Sequence, residues 1–196
     1  MKKEERLYLK VPTYDELWYR KQLLSDPKTM EFNKGYDIKD TTYNYSDGTY
    51  DFDETLWDNW YSEWGKNQKD KYYAYIVRKY DNKYIGEVQF NGNEEVNVLL
   101  EAGARGFHYS LDALNLLAKE AFVNRNMSSL SDKIPEQRFD QIELFKKAGY
   151  KKVGDYSTIK RFGMDEKLVI VSYSKEDYLI NNQIKKNKLL SFFVKK

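Results

Sequence analysis

The feature that most constrains the fold is a glycine-bearing turn that joins a short strand to a strong helix. The strand-like run covers residues 96–101, and the turn contains Gly103 and Gly106. One continuous apolar face runs along the helix that follows, formed by Leu111, Leu114, Leu117, Ala118, Ala121 and Phe122. Unpaired backbone N–H groups and the helix dipole converge at such a junction, so this turn favours binding of an anion.

Two more strand-like runs, at residues 72–80 and 84–91, precede this strand. Tight-turn residues separate the three runs, with Asn82 in the first turn and Gly92 in the second. Strand-like runs with such short connections are typical of hairpins. We therefore expect an antiparallel meander.

Helices are predicted ahead of the meander. Residues 13–16 have the pattern of a capping box, and Asp26 followed by Pro27 is typical of a second helix start. Residues 33–51 show no periodicity and are predicted to be a long loop. A third helix begins near Asp53 and carries an aromatic stripe that either packs in the core or binds a ligand.

The rest of the chain alternates strands and helices. Predicted elements are a strand at 128–133, a helix at 136–148 ended by Gly149, and strands at 150–160 and 167–173. This order predicts an α/β (α+β) fold with one mixed central sheet flanked by helices, in a single domain over residues 1–174. Residues 175–196 are a Lys-rich C-terminal extension to which the sequence assigns no role.

Composition excludes several classes of function. The 196 residues carry 33 Lys and Arg against 31 Asp and Glu, which gives no general reason to expect nucleic acid or a membrane as partner. Without cysteine the chain has no disulfide, thiolate metal site or Cys nucleophile, and its single histidine lacks partner ligands for a metal. The N-terminal segment lacks the apolar stretch of a signal peptide, so we expect a cytoplasmic protein.

Four segments carry a more specific pattern. Residues 85–88 read Ile-Gly-Glu-Val, 98–100 read Val-Leu-Leu, 104–106 read Ala-Arg-Gly, and 144–150 read Leu-Phe-Lys-Lys-Ala-Gly-Tyr. In this order, with a long helix before the last of them, they resemble the GNAT superfamily of N-acetyltransferases. The resemblance covers residues 6–173.

The resemblance implies acetyl-CoA as co-substrate and a direct transfer of the acetyl group to an amine. In this family two neighbouring strands splay apart, and the pantetheine arm pairs with the exposed strand edge, here at Leu99 and Leu100. The pyrophosphate rests on the turn and the helix start. The cradle implied for this chain consists of Arg105, Gly106, Phe107, His108, Tyr109 and Ser110.

The chain departs from the family pattern at several positions. His108 and Ser110 stand where the family turn keeps small residues, so the imidazole either crowds the cofactor or donates a hydrogen bond to it. Arg138 and Phe145 stand where many members carry an Asn and a Tyr that acts as general acid. Arg138 either reaches a cofactor phosphate or is a solvated helix-start residue, and Phe145 has no proton to donate.

Acetyl transfer also needs a neutral amine. The candidates for a general base are Glu87 first and then Glu101, which lie on strands beside the expected cleft. For each of them the alternative is an exposed strand residue. In this superfamily the first helices and the loop after them build the acceptor pocket, so its implied residues here are Asn33, Tyr36, Trp57 and Trp60.

The expected partner is therefore a small-molecule or peptide amine, and the protein is expected to be a monomer or homodimer. Two alternatives stay open. One is a catalytically silent GNAT relative that only binds CoA or another ligand. The other is a carbohydrate- or peptide-binding module that uses the aromatic side chains of the first half of the chain.

Overall fold

The computed structural model describes residues 5–65, 71–92, 95–154 and 157–183. Its strands are β1 (Leu7–Lys10), β2 (Lys71–Arg78), β3 (Lys83–Asn91), β4 (Glu95–Leu100), β5 (Ser129–Pro135), β6 (Lys151–Lys152), β7 (Ser157–Arg161) and β8 (Met164–Ser174). The first four form one sheet in the order β1-β2-β3-β4. In the second sheet β8 is central and pairs with β5, β6 and β7. All of these pairings are antiparallel.

Five helices accompany the strands in the described segments, and a further helical stretch covers residues 175–183. They are α1 (Leu17–Ser25), α2 (Pro27–Met30), α3 (Trp57–Trp64), α4 (Tyr109–Lys119) and α5 (Phe139–Ala148). A π-helical turn, Glu120–Asn124, continues α4. None of the helices in these segments is long and apolar enough to cross a membrane.

The predicted starts of the first two helices are confirmed. Thr13 and Glu16 form the capping box ahead of α1, and the carboxylate of Asp26 accepts hydrogen bonds from the backbone N–H groups of Lys28 and Thr29. These side chains satisfy N–H groups that have no partner within the helix. The local sequence is sufficient to predict these helix starts, because each cap is made by residues two or three positions apart.

The first sheet is covered on both faces. Ala74, Ile76 and Val88 point to a core that includes α4 and α5, whereas Tyr73 and Tyr75 point to a second core with α1 and α3. Successive residues of β2 alternate between these two cores, which explains why its six central residues are all buried. Many aromatic residues of the first half of the chain belong to this second core.

The fold class is confirmed as a mixed α and β domain, but the expected single sheet is divided. No ladder joins β4 to β5 among the described residues, so the central layer separates into two four-stranded sheets at that point. The strand predicted at 150–160 is also wrong as one element. It is interrupted at Gly154, whose φ of 71° cannot continue a strand.

The start of the fifth helix is shifted. It was expected at residue 136, but it begins at Phe139 because Arg138, with ψ of 62°, lies outside the helical region. The predicted extension begins with a packed helix, since the ring of Tyr178 contacts those of Phe122 and Tyr173. Residues 184–196 lie outside the described part of the chain, and the domain boundary at residue 174 stays a prediction.

Candidate active site

Two cavities meet where β4 and β5 separate. The larger one, of about 630 Å³, lies between the first sheet and the layer formed by α1, α3 and the loop before α3. The smaller one, of about 570 Å³, lies between β4 and α5. Residues that line both are Phe32, Asn97, Leu99, Arg138 and Gln141. The two cavities are therefore adjacent at the split and share part of their walls.

The smaller cavity offers backbone groups. Leu99 and Leu100 line it on β4, a strand that pairs only with β3 among the described strands. An unpaired strand edge presents N–H and C=O groups to any extended ligand that lies beside it. Ser110, in the first turn of α4, lines the same cavity. The edge and the helix start thus face a common space.

The turn ahead of α4 has two residues in the left-handed region. Gly106 has φ of 85°, and a Cβ built on it would meet no atom within 4 Å. His108 has φ of 61° and ψ of 20°, and its side chain is exposed. Left-handed backbone is costly for residues with a Cβ, which is why glycine favours such positions. The His108 position is thus one where the backbone itself prefers glycine.

The other residues of the predicted cradle differ in exposure. Phe107 is exposed and stacks on Tyr109, while Tyr109 is buried and has the guanidinium of Arg6 over its ring at 4.8 Å. Arg105 lines the smaller cavity, but its guanidinium donates to the backbone carbonyls of Thr29 and Leu100. In this structure Arg105 ties the turn to α2 and does not point a free charge at the cavity.

We expect replacement of His108 by glycine to raise the free energy of unfolding by about 1 kcal/mol, because glycine removes the cost of left-handed backbone at a non-glycine residue. Chemical denaturation of both proteins measures the change.

Titration of both proteins with CoA at pH 6 and pH 8 distinguishes the two expected roles of the His108 imidazole. Weaker binding by the variant, more so at pH 6, indicates a donated hydrogen bond, and equal or tighter binding indicates crowding.

Arg138 and Phe145 occupy the wall of the smaller cavity. Arg138 donates to the carbonyl oxygen of Phe32, and its guanidinium lies over the rings of Phe32 and Tyr36 at 5.0 and 5.2 Å. Phe145 is buried and its ring lies 4.8 Å from that of Tyr150. The hydroxyl of Tyr150 is buried and has no hydrogen-bond partner among the described residues.

The larger cavity is rich in carboxylates. It is lined by five acidic residues, Asp40, Asp51, Glu87, Glu95 and Asp132, and by three basic ones, Arg20, Lys133 and Arg138. Aromatic walls come from Phe32, Tyr50, Phe52 and Trp60. The excess of negative charge and the aromatic faces suit a cationic ligand.

Glu87, the first candidate base, is engaged in a buried ion pair. Both of its carboxylate oxygens accept from Nη1 of Arg20 at 2.7 Å, and the hydroxyl of Tyr73 also donates to it. The guanidinium of Arg20 lies within 5.2 Å of the ring centroids of Phe52, Trp60 and Tyr73. The alternative of an exposed strand residue is wrong, since Glu87 is 2% exposed.

The second candidate base and the predicted acceptor-pocket residues do not all line the same cavity. Glu101 follows β4 and lines neither of the two cavities. The pKa of the Tyr19 hydroxyl is raised, mainly by burial and secondly by the charge of Glu101. Asn33 and Trp60 line the larger cavity, and Tyr36 lines a third cavity of about 340 Å³. Trp57 lines none of the three, because its indole N–H donates to the Phe52 carbonyl and its ring packs on Phe52.

One residue that sequence reasoning missed is Asp132 on β5. It lines the larger cavity and the third cavity, and burial raises its pKa to about 7. It lies on the same face of the strand as Leu130 and Ile134, which are both fully buried. An acidic residue between two core-facing apolar positions of a strand is the signal that indicates it.

No group of three or more acidic or histidine residues that could hold a metal ion occurs in the described segments. No protein-family model and no curated protein sequence matches the chain significantly. Solved structures do match. Spermidine N-acetyltransferase from Vibrio cholerae, in complex with CoA and spermine, superposes with a TM-score of 0.70 and 12% identity over 89% of this chain and 98% of that chain.

The fold is the GNAT fold. A second structure, spermidine/spermine N-acetyltransferase SpeG from Vibrio cholerae with manganese ions, has a TM-score of 0.68 and 11% identity over 90% of this chain and 96% of that chain. At such identities the similarity establishes the GNAT fold alone. A shared fold does not fix the function, which depends on the residues of the site.

Proposed function

We propose that this protein is an acyl-CoA-dependent N-acetyltransferase that transfers an acetyl group from acetyl-CoA to the amine of a small molecule or peptide. The observation that carries the proposal is the pair of cavities that meet at the split between β4 and β5. A two-substrate transfer needs two binding spaces with one point of contact, where the reacting atoms are held together.

The smaller cavity fits the cofactor. The unpaired edge of β4 at Leu99 and Leu100 is suited to the amide groups of a pantetheine arm, and the start of α4 is suited to phosphates. The open space at Gly106 leaves room for an anion beside the backbone. When bound, acetyl-CoA supplies the acetyl group as an activated thioester.

The larger cavity fits a cationic amine. Its volume of about 630 Å³ is in the range of small-molecule sites, and five acidic residues against three basic ones line it. The similar structures are named as spermidine and spermine N-acetyltransferases, which supports a small cationic amine for this chain as well. Asn33 and Trp60 contribute to this cavity, Tyr36 lies beside it, and Trp57 would act only through its packing on Phe52.

We expect acetyl-CoA to raise the melting temperature, because a ligand at a hundred times its dissociation constant adds about 2.7 kcal/mol to the free energy of unfolding. Thermal unfolding with and without millimolar acetyl-CoA measures this, with adenosine diphosphate as a control ligand that lacks the pantetheine arm. Turnover is then measured as free thiol released from acetyl-CoA in the presence of mono-, di- and polyamines. Absence of any shift would remove the assignment of the cofactor cavity.

A catalytically silent CoA-binding protein is the second candidate, and Phe145 favours it. This phenyl ring lies in the wall of the cofactor cavity, and the resemblance implies a proton-donating tyrosine at its position. The two candidates differ in one result, since a silent protein shows the thermal shift without thiol release from any amine. The carbohydrate- or peptide-binding module loses its main support, because many of the aromatic residues that suggested it form the second core.

A further inference from the structure

We infer that Asp132, and not Glu87 or Glu101, accepts the proton from the attacking amine. This inference rests on the proposed function and adds a catalytic residue to it. Asp132 lines the larger cavity, on the strand that borders the split at which the two cavities meet. A general base must lie within reach of the proton that it removes. Asp132 interacts electrostatically with Arg138, a residue that lines both cavities.

The alternation of side chains along β5 determines the direction in which Asp132 points. Leu130 and Ile134, two residues before and after it, are buried in the main core, so the Asp132 side chain leaves the same face of β5. On the β4 side no described strand is hydrogen-bonded to the edge of β5, and Asp132 lines the larger cavity at this gap. The carboxyl group is therefore partly removed from water while it still borders the cavity.

The surrounding charges set the protonation of Asp132. Burial raises its pKa to about 7, the backbone N–H of Lys133 opposes this by donating to Oδ1 at 2.8 Å, and the Glu95 charge on β4 raises the pKa further. Arg138, at the start of α5, lowers it. Tyr150, after α5, is buried, and the charge of Asp132 contributes to raising the pKa of its hydroxyl. A base that titrates near neutral pH is suited to proton transfer under ordinary conditions.

The other carboxylates of the cavity are less suited. Glu87 has both oxygens occupied by Arg20 and Tyr73, and Asp40 accepts from the backbone N–H and hydroxyl of Thr42. Glu95 is exposed to solvent, and its carboxylate accepts a hydrogen bond from the side-chain amide of Asn91. Asp51, the remaining acidic residue of the lining, is exposed to solvent, whereas burial raises the pKa of Asp132.

The ammonium group of the substrate gives one proton to the Asp132 carboxylate, and the neutral nitrogen attacks the thioester carbonyl carbon to form a C–N bond. The C–S bond then breaks, the second nitrogen proton goes to the departing sulfur, and the products are the acetamide and the free thiol of CoA. Asp132 finally releases its proton to solvent.

The test uses the full-length protein, acetyl-CoA and the best amine of the panel. In a plot of kcat/KM against pH, we expect the wild type to show an acidic limb, a rise centred near pH 7 that reports the ionisation of Asp132. Asp132→Asn should lower kcat by about 100-fold or more and remove this limb. Asp132→Glu, which keeps a carboxylate, should restore a limb. An intact limb with near-normal kcat in Asp132→Asn would overturn the inference while leaving the acetyltransferase assignment in place.

A neighbouring charge provides a sharper readout. Because the Glu95 charge raises the pKa of Asp132, Glu95→Gln should move the limb to lower pH. The matched control is Glu143→Gln, which removes the same charge from the exposed side of α5, where Glu143 pairs with Lys146, and should leave the limb in place. A limb that moves equally in both variants, or in neither, contradicts the role of Asp132.

A measurement without substrate tests the raised pKa of Asp132 independently of the acetyltransferase activity. The folded-state pKa of Asp132 lies above its unfolded value, so its ionisation costs stability increasingly as pH rises from about 4 towards 7. Asp132→Asn lacks this cost, and its melting temperature relative to wild type should increase between pH 5 and pH 8. No such increase overturns the inference. The increase together with absence of thiol release for every amine shows that the acetyltransferase proposal, and the base role with it, is wrong.

Discussion

Replacing Glu87 with alanine is expected to lower the free energy of unfolding by about 3–5 kcal/mol, because it leaves the guanidinium of Arg20 buried without its counter-charge. Glu87 is 2% exposed and the Arg20 side chain 14% exposed, and three aromatic rings surround the guanidinium. Desolvation alone would lower the pKa of Arg20, but the Glu87 charge and the Tyr73 hydroxyl outweigh it and keep the side chain charged. Urea denaturation of the two proteins measures the loss.

The matched control replaces both partners with apolar side chains. In the double variant Arg20→Met with Glu87→Leu no buried charge is left unpaired, so we expect it to be more stable than Glu87→Ala. If the double variant is as unstable as the single one, the ion pair does not account for the loss. A Glu87→Ala protein as stable as wild type would contradict the buried pair itself and would return Glu87 to the candidates for a base.

Replacing Gly106 with valine is expected to abolish the thermal shift given by acetyl-CoA, which amounts to about 2.7 kcal/mol at a hundred times the dissociation constant. The added side chain would occupy the open space beside the turn, and a β-branched residue does not tolerate a φ of 85°. The strain costs about 1–2 kcal/mol of stability in the free protein, which a domain of ordinary stability survives. Melting curves with and without the cofactor give both quantities.

Gly103→Val is the matched control for this change. Gly103 lies in the same turn, and a Cβ on it also meets no atom within 4 Å, but its backbone is not in the left-handed region. We expect this variant to keep the shift. Loss of the shift in Gly103→Val as well would mean that any bulk near the turn prevents binding, and retention in Gly106→Val would show that the phosphates lie elsewhere.

Much of the fold could be predicted from the sequence because its signals are local. The capping box at Thr13, the Asp26 cap and the apolar face of α4 each depend on residues within a few turns of one another. Hairpin turns likewise connect strands that are neighbours in the chain, so the meander of β2, β3 and β4 followed from periodicity and turn residues.

The candidate site was predictable only in part. The resemblance to GNAT acetyltransferases implied Leu99, Leu100 and Gly106 as cofactor contacts. These three stay predictions, which the cavity at β4 and the open space at Gly106 support. Phe107 and Tyr109 were implied as members of the same phosphate cradle. Their different exposure depends on the packing of Arg6 against the start of α4, which no local pattern indicates.

What the sequence by itself determined is where the first two helices begin, which strands form the meander, which faces are apolar, and that a strand, a glycine turn and a helix occur in succession. Only the tertiary structure decided which polar side chains are free to act. Glu87 meets Arg20 across 67 positions of the chain, and Asp132 depends on a split between strands that belong to different sheets. The free energy of a buried charge depends on its neighbours in space, and these become known only when distant segments pack together.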